Sequence, residues 1–247
     1  MGRLFTFGCS FTEDFENVVL SYNNSSFNKT IENRPSQIKY IEDYLNGEIP
    51  ESWPKILGRL LNKDVINYGH GGKSNYDIFE RVCEQSHQYS KEDIVIVGWT
   101  HFTRFRWPTI DGWNPIFTNY IENMGPNYPD KELHEKIIIS RDNKCVIDEI
   151  YNFQKLLINL SIKIGFKLYF WSSCYRIING EDNLFKNNSI YLINNLLKNT
   201  NNFFGVLKKY GAKTIMEETN KVIIDSHLGK TGHEVQAKLF YEHILLR

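Results

Sequence analysis

The chain has no excess of charge of either sign. Its 29 Lys and Arg balance 29 Asp and Glu, so no overall field draws it to phosphate backbones or anionic membranes, and nucleic acid is not an expected partner. Cysteine is scarce. Cys9, Cys83, Cys145 and Cys174 include no Cys-x-x-Cys pair and no histidine at zinc-finger spacing, which argues against a disulfide framework or a structural metal and points to reduced thiols. No apolar run approaches the roughly 18 residues that a membrane-spanning helix needs, and no charged start followed by an apolar stretch marks a secretory signal. The expectation is a cytoplasmic protein with no membrane partner. Gly2 and Thr6 fit a myristoylation pattern formally, but Leu4–Phe7 reads as a buried first strand, so the match is taken as chance.

What the chain does have is apolar material. With 247 residues, 41% hydrophobic and 14% aromatic, it can bury a sizeable core within one domain. Five short runs are β-branched or aromatic and bounded by turn or polar residues: Leu4–Phe7, Val65–Asn67, Ile94–Gly98, Lys167–Trp171 and Val222–Ile224. They read as buried parallel strands. Helical stripes lie between them, at Trp53, Leu57, Leu60 and Leu61 with Ser52 placed to cap; at Ile78, Val82 and Cys83; from Val146 to Ile164; and from Val235 to Ile244. Thr231-x-x-Glu234 has the form of a capping box for the last helix. Alternating strands and helices predict a three-layer α/β/α sandwich around a five-stranded, mostly parallel sheet, with chemistry at the carboxyl ends of the strands. Residues 13 to about 50 and 105 to about 143 exceed that minimal pattern and read as insertions on the functional rim of a single domain, 1–247.

Four segments at predicted strand ends carry the chemistry. Phe7-Gly8-Cys9-Ser10-Phe11-Thr12 places a serine hydroxyl just beyond the first strand, with Gly8 permitting a tight exit. Asn67-Tyr68-Gly69-His70-Gly71-Gly72-Lys73-Ser74-Asn75 follows the second, and its glycines let backbone N–H groups approach a reacting atom. That spacing satisfies neither G-x-G-x-x-G nor G-x-x-x-x-G-K-[ST], so no dinucleotide or nucleotide cofactor is expected. Gly98-Trp99-Thr100-His101 ends the third strand, and Asp225-Ser226-His227 precedes the last helix. A serine is a poor nucleophile until a base takes its proton, and the imidazole base needs an acid to fix its tautomer. Ser10, His227 and Asp225 supply those three groups. His233, on the first turn of the last helix, reads as a packing or locally bonded residue, and Cys9, adjacent to Ser10 on an extended exit, as a packing residue. The elbow G-x-S-x-G of α/β-hydrolases is absent.

In that order, serine, glycine, donor and Asp-x-His, the four segments resemble the blocks of the SGNH/GDSL hydrolases, and the Gly-Cys-Ser-Phe-Thr opening resembles that family's divergent, phage-like members. The resemblance implies a flavodoxin-like sandwich and a serine esterase with no cofactor and no metal. It makes Ser10 the nucleophile, His227 the general base and Asp225 the acid that orients it. The oxyanion hole falls to Ser10, Gly72 and Thr100, with Gly71 as the alternative glycine. Three departures stand out: Cys9 replaces the aspartate of the name-giving motif, Thr100 stands where the family has an asparagine, and Asp225-x-His227 is one residue shorter than Asp-x-x-His. His101, Arg104 and Trp107, with Arg106, form a basic and aromatic cluster that either holds a substrate or anchors the insertion. The implied substrate is a small-molecule or glycan ester, with a small acyl group on a carbohydrate favoured. The rivals are a catalytically silent binding module and an acyltransferase acting on a glycan.

Overall fold

The computed structural model describes residues 2–24, 34–101, 104–109, 112–116, 136, 143–172 and 207–246. Its described elements are β1 (Leu4–Gly8), α1 (Phe15–Asn24), α2 (Ser36–Tyr44), α3 (Trp53–Leu61), β2 (Val65–Gly69), α4 (Asn75–Glu84), β3 (Ile94–Trp99), the hairpin strands β4 (Phe105–Thr109) and β5 (Gly112–Ile116), α5 (Asn143–Ile164), β6 (Lys167–Ser172), α6 (Ile215–Glu218) and α7 (Lys230–Leu245). Among the described residues no helix is long and apolar enough to cross a membrane. Cys174 and the side chain of Trp107 lie outside the described residues.

β1, β2, β3 and β6 form a parallel sheet in the order β2-β1-β3-β6. The strands read as continuous apolar runs because both faces are covered. On one face Phe5, Phe7, Val95, Val97 and Phe170 meet α4 and α5. On the other Leu4, Ile96 and Trp171 meet α3 and α7. The chain steps from β1 to β2 on one side and then, through α4, to β3 on the opposite side of β1. The carboxyl ends of β1 and β3 therefore flank the point where the winding reverses, the place where open α/β sheets leave a crevice.

The sheet has four described strands rather than five. The expected fifth, Val222–Ile224, is a bend. Asn220 and Lys221 both adopt positive φ, 51° and 67°, and turn the chain sharply just before it. The Ile223 N–H then donates to the Thr219 hydroxyl at 3.1 Å, and the Ile223 carbonyl accepts from the Asp225 N–H at 3.2 Å. Its backbone groups are thus used locally and do not join a ladder. Val222 and Ile224 are 72% and 84% exposed, while Ile223 packs with Phe15, Tyr40, Ile41 and Ile215 in a third small core.

The helix ends also depart from expectation. α7 begins at Lys230 with Gly229 as its N-cap, and the Thr231–Glu234 box does not form. The Thr231 hydroxyl and N–H donate instead to Glu218 Oε1, and a side chain at Gly229 would collide with that carboxylate, at 2.4 Å from its carbon. Ser52 stands at the N-cap of α3, but its hydroxyl donates to Asp14. The open end of α3 is closed by His233, whose Nδ1 accepts the Trp53 N–H at 3.1 Å.

That bond requires a neutral imidazole protonated on Nε2. Burial, with a smaller contribution from the charge of His227, pushes the His233 pKa down to about 3. The unfolded chain takes up this proton near pH 6.5, so the stability that His233 contributes is complete above that pH and is lost as pH falls towards 3. Between pH 6.5 and 4.5 the loss is about 1.4 kcal/mol per pH unit, which lowers the melting temperature by about 3–6 °C per unit. Thermal unfolding of His233→Asn, whose amide oxygen can still accept the Trp53 N–H, should show that dependence removed.

Candidate active site

β1 delivers the chain to the crevice and a tight turn follows. The Cys9 carbonyl accepts the N–H groups of Thr12 at 2.8 Å and Glu13 at 3.2 Å, which puts Ser10 at the apex and leaves Cys9 buried in the core. The turn is tied down from outside as well. Trp53 Nε1 donates to the Phe11 carbonyl at 2.9 Å, and Asn67 Nδ2 donates to the Thr12 carbonyl at 2.7 Å. Asn67 Oδ1 in turn accepts from the Thr6 hydroxyl at 2.8 Å and the Gly69 N–H at 2.9 Å. Such close approach leaves no room at Gly69, where a Cβ would stand 2.5 Å from the Thr12 carbonyl.

The loop before α7 brings its imidazole to this turn. His227 Nε2 lies 2.9 Å from Ser10 Oγ, and Nδ1 lies 2.6 Å from Asp225 Oδ1. Asp225 Oδ1 also accepts the His227 backbone N–H at 2.8 Å, the turn that an aspartate forms with the residue two positions on. One carboxylate oxygen thus fixes both the backbone and the ring of His227, which explains how the shortened Asp-x-His spacing serves. Asp225 Oδ2 accepts from the Ser36 hydroxyl. Burial by itself raises the Asp225 carboxyl, but the hydrogen bonds and charge from His227 and the Ser36 hydroxyl outweigh it and hold the group below the usual carboxylate range. An ionised Asp225 can only accept, so Nδ1 carries the imidazole proton and Nε2 is left to accept from Ser10. The Phe11 ring lies 5.0 Å from the imidazole, centroid to centroid. The loop backbone is anchored on α6, whose Met216 and Ile215 N–H groups donate to the Asp225 and His227 carbonyls at 3.0 and 2.8 Å.

The glycine loop sits beside Ser10. The Cβ position of Gly71 falls 3.8 Å from Ser10 Cβ, and the Gly71 N–H donates to Glu13 Oε2 at 2.9 Å. Glu13 Oε1 lies 3.0 Å from His70 Nδ1. Gly72 turns with φ of 80°, a conformation that favours glycine. Ser74 and Asp77 then form a capping box that opens α4. Past β3, Thr100 is buried, its N–H donating to Asn75 Oδ1 at 2.8 Å and its carbonyl accepting from Asn75 Nδ2 at 3.1 Å.

Among the basic cluster, His101 is exposed and half-buried Arg104 donates its N–H to the His101 carbonyl at 3.1 Å. Arg106 anchors the hairpin to α4, pairing with Glu80 at 2.7 Å and stacking 3.7 Å above the Tyr76 ring. A cleft of about 440 Å³ lies between α1, α4 and the ends of β1 and β2, with Asn17, His70, Lys73 and Arg81 in its wall; Ser10, Asp225 and His227 do not line it. Sequence reasoning passed over Glu13, Ser36, Tyr40 and Glu218, which carry no motif, and quoted Asn67 and Asn75 without assigning them work.

No family model matches the chain, and no curated protein matches it. Among solved structures it is similar to a catalytic mutant of Axe2, an acetylxylan esterase from Geobacillus stearothermophilus, at 14% identity and a TM-score of 0.40, over 99% of this chain and 95% of that one. It is also similar to a member of the lipolytic protein G-D-S-L family from Veillonella parvula, at 14% identity and a TM-score of 0.39, over 98% and 97%. These likenesses are distant, and the chemistry of the site rests on its own geometry.

Proposed function

We propose that the protein is a serine esterase of the SGNH/GDSL type that removes a small acyl group, acetyl foremost, from a carbohydrate or other small ester. The observation that carries this reading is the unbroken relay from Ser10 Oγ through the His227 ring to Asp225 Oδ1, at 2.9 and 2.6 Å. Ser10 Oγ attacks the ester carbonyl as its proton passes to His227 Nε2, and Asp225 steadies the imidazolium. The tetrahedral intermediate collapses when His227 returns the proton to the departing alkoxide. Water then loses a proton to His227 and attacks the acyl-serine; collapse releases the carboxylic acid and regenerates Ser10.

The Gly71 and Thr100 N–H groups are already committed, to Glu13 and Asn75. The oxyanion is therefore assigned to the N–H groups of Ser10 and Gly72, with the Thr100 hydroxyl in place of the family's amide. A missing donor costs about 100- to 1000-fold in turnover, so a slow esterase is the expected phenotype. His101, Arg104 and Trp107 are assigned to the acyl-bearing sugar, beyond the reacting atoms.

A fluorophosphonate probe should label Ser10 in the folded protein and leave Ser10→Ala unlabelled. Hydrolysis of p-nitrophenyl acetate should fall by about 10⁴-fold or more in Ser10→Ala and His227→Ala, with Asp225→Asn milder by about 100-fold. Folded wild-type protein that takes no label would overturn the hydrolase and leave a binding module. Acylated glycan formed only when an acceptor sugar is added would make the enzyme a transferase.

Glu13 spans the serine turn and the glycine loop, so Glu13→Ala should lower kcat by about tenfold with a smaller change in KM, the loss of one hydrogen bond to a charged group. Glu13→Gln, which still accepts the Gly71 N–H, should recover most of it. Equal loss in kcat and gain in KM for both variants would make Glu13 a substrate contact instead.

A further inference from the structure

α2 belongs to the stretch that exceeds the minimal sandwich, yet it reaches the loop carrying Asp225 and His227 from both ends. Ser36 and Tyr40 stand four residues apart, on one face of the helix. The Ser36 hydroxyl donates to Asp225 Oδ2. The Tyr40 hydroxyl donates to Glu218 and accepts the Lys230 N–H at 3.0 Å, at the opposite end of the loop. Beneath them Tyr40 and Ile41 share the third core with Phe15 of α1, Ile215 of α6 and Ile223 of the bend. Lys230 Nζ pairs with Glu48, just beyond α2, at 3.5 Å. The helix is thus seated on the loop by apolar packing, and its two hydroxyls finish the loop's polar groups.

We propose that α2 is a positioning element for the triad, in which Ser36 sets how much of the Asp225 charge is presented to His227 and Tyr40 holds the far end of the loop. This rests on the esterase reading. The physical argument concerns a shared anion. Asp225 Oδ1 serves His227 and Oδ2 serves Ser36, so each hydrogen bond draws on one negative charge. A donor on Oδ2 leaves less charge for the imidazolium on Oδ1. Without that donor the carboxylate binds the Nδ1–H more strongly and His227 keeps its second proton to higher pH. The titratable groups around the loop include His233 of α7, neutral through burial, Tyr40, Glu218 on the Tyr40 and Thr231 side, Glu234, which faces Tyr40 electrostatically, Lys230 paired with Glu48 and, on the Ser10 side, Glu13 paired with His70. None of them is bonded to Asp225 Oδ2 among the described residues, so Ser36 is the group to change.

The test is the rate of fluorophosphonate labelling of the full chain as a function of pH. Ser36→Ala should move the acid limb upward by about half a pH unit, a roughly threefold slower reaction below the limb, and Ser36→Cys, a weaker donor of similar size, should move it in the same direction. Ser36→Thr, which keeps the hydroxyl, should restore the wild-type limb. Tyr40→Phe should lower the melting temperature and leave the limb in place, because it loosens the loop without touching Asp225. An NMR titration of the His227 imidazole in wild type and Ser36→Ala should show the same displacement without any turnover. A wild type that labels while the Ser36→Ala limb and titration stay put overturns the proposal for α2. A wild type that does not label, with the titration displaced, overturns the esterase and leaves the role of Ser36 intact.

Discussion

The hydrogen bond between Ser10 and His227 joins residues 217 positions apart, and it depends on the turn Cys9–Glu13 being held in place. A turn at the end of a buried strand has carbonyls that must find donors. Here the Cys9 carbonyl is taken by the turn itself, the Phe11 carbonyl by the Trp53 indole and the Thr12 carbonyl by the Asn67 amide. Each donor comes from a different layer. The register of α3 against the sheet, the close backbone approach at Gly69 and the direction of the Ser10 side chain are therefore one coupled arrangement. The proposed attack by Ser10 would profit from that rigidity, because it needs the hydroxyl held near its target before the carbonyl arrives.

Most of this architecture was legible in the sequence, for a simple reason. Parallel strands buried on both faces must be apolar throughout, so Leu4–Phe7, Ile94–Gly98 and Lys167–Trp171 announce themselves, and helices packed on one face keep a 3.6-residue stripe. The same signal misled at Val222–Ile224. Three apolar residues in a row read as a strand, but two left-handed residues before them, Asn220 and Lys221, turn the chain away. Asn220 is a residue type that tolerates the left-handed region, but a lone Asn in so Asn-rich a chain is a weak signal, and Lys221 carries none. The Thr231–Glu234 box failed for a related reason: a pattern in sequence can state what a local cap would be, but Glu218, thirteen residues upstream, reaches the helix end first.

Within the site, the meeting of Ser10, Asp225 and His227 was readable because the chemistry proposed for them restricts which residue types can serve. Glu13, Ser36 and Asn75 were not, because a residue that positions another through one hydrogen bond has many chemical equivalents and no fixed spacing. Their consequences are nevertheless specific. Glu13 takes the Gly71 N–H and Asn75 takes the Thr100 N–H, so these two backbone donors beside the crevice are committed to structure. Of the two glycines the motif offered, Gly72 is then the one whose N–H the proposed oxyanion would use.

The two histidines at this end of the chain show how environment decides between them. His233 is buried against Phe15 with its Nδ1 saturated by the Trp53 N–H, and burial suppresses its charged form. It cannot take a proton from a serine. His227 is 29% exposed at its side chain, carries an ionised carboxylate at Nδ1 and keeps Nε2 facing Ser10. Six residues apart in sequence, the two rings differ in burial and in the partner at Nδ1, an N–H for His233 and a carboxylate for His227, and that carboxylate is itself bonded to Ser36 of α2. α2 is therefore bonded, through Ser36, to the carboxylate that sets His227 apart from the buried His233.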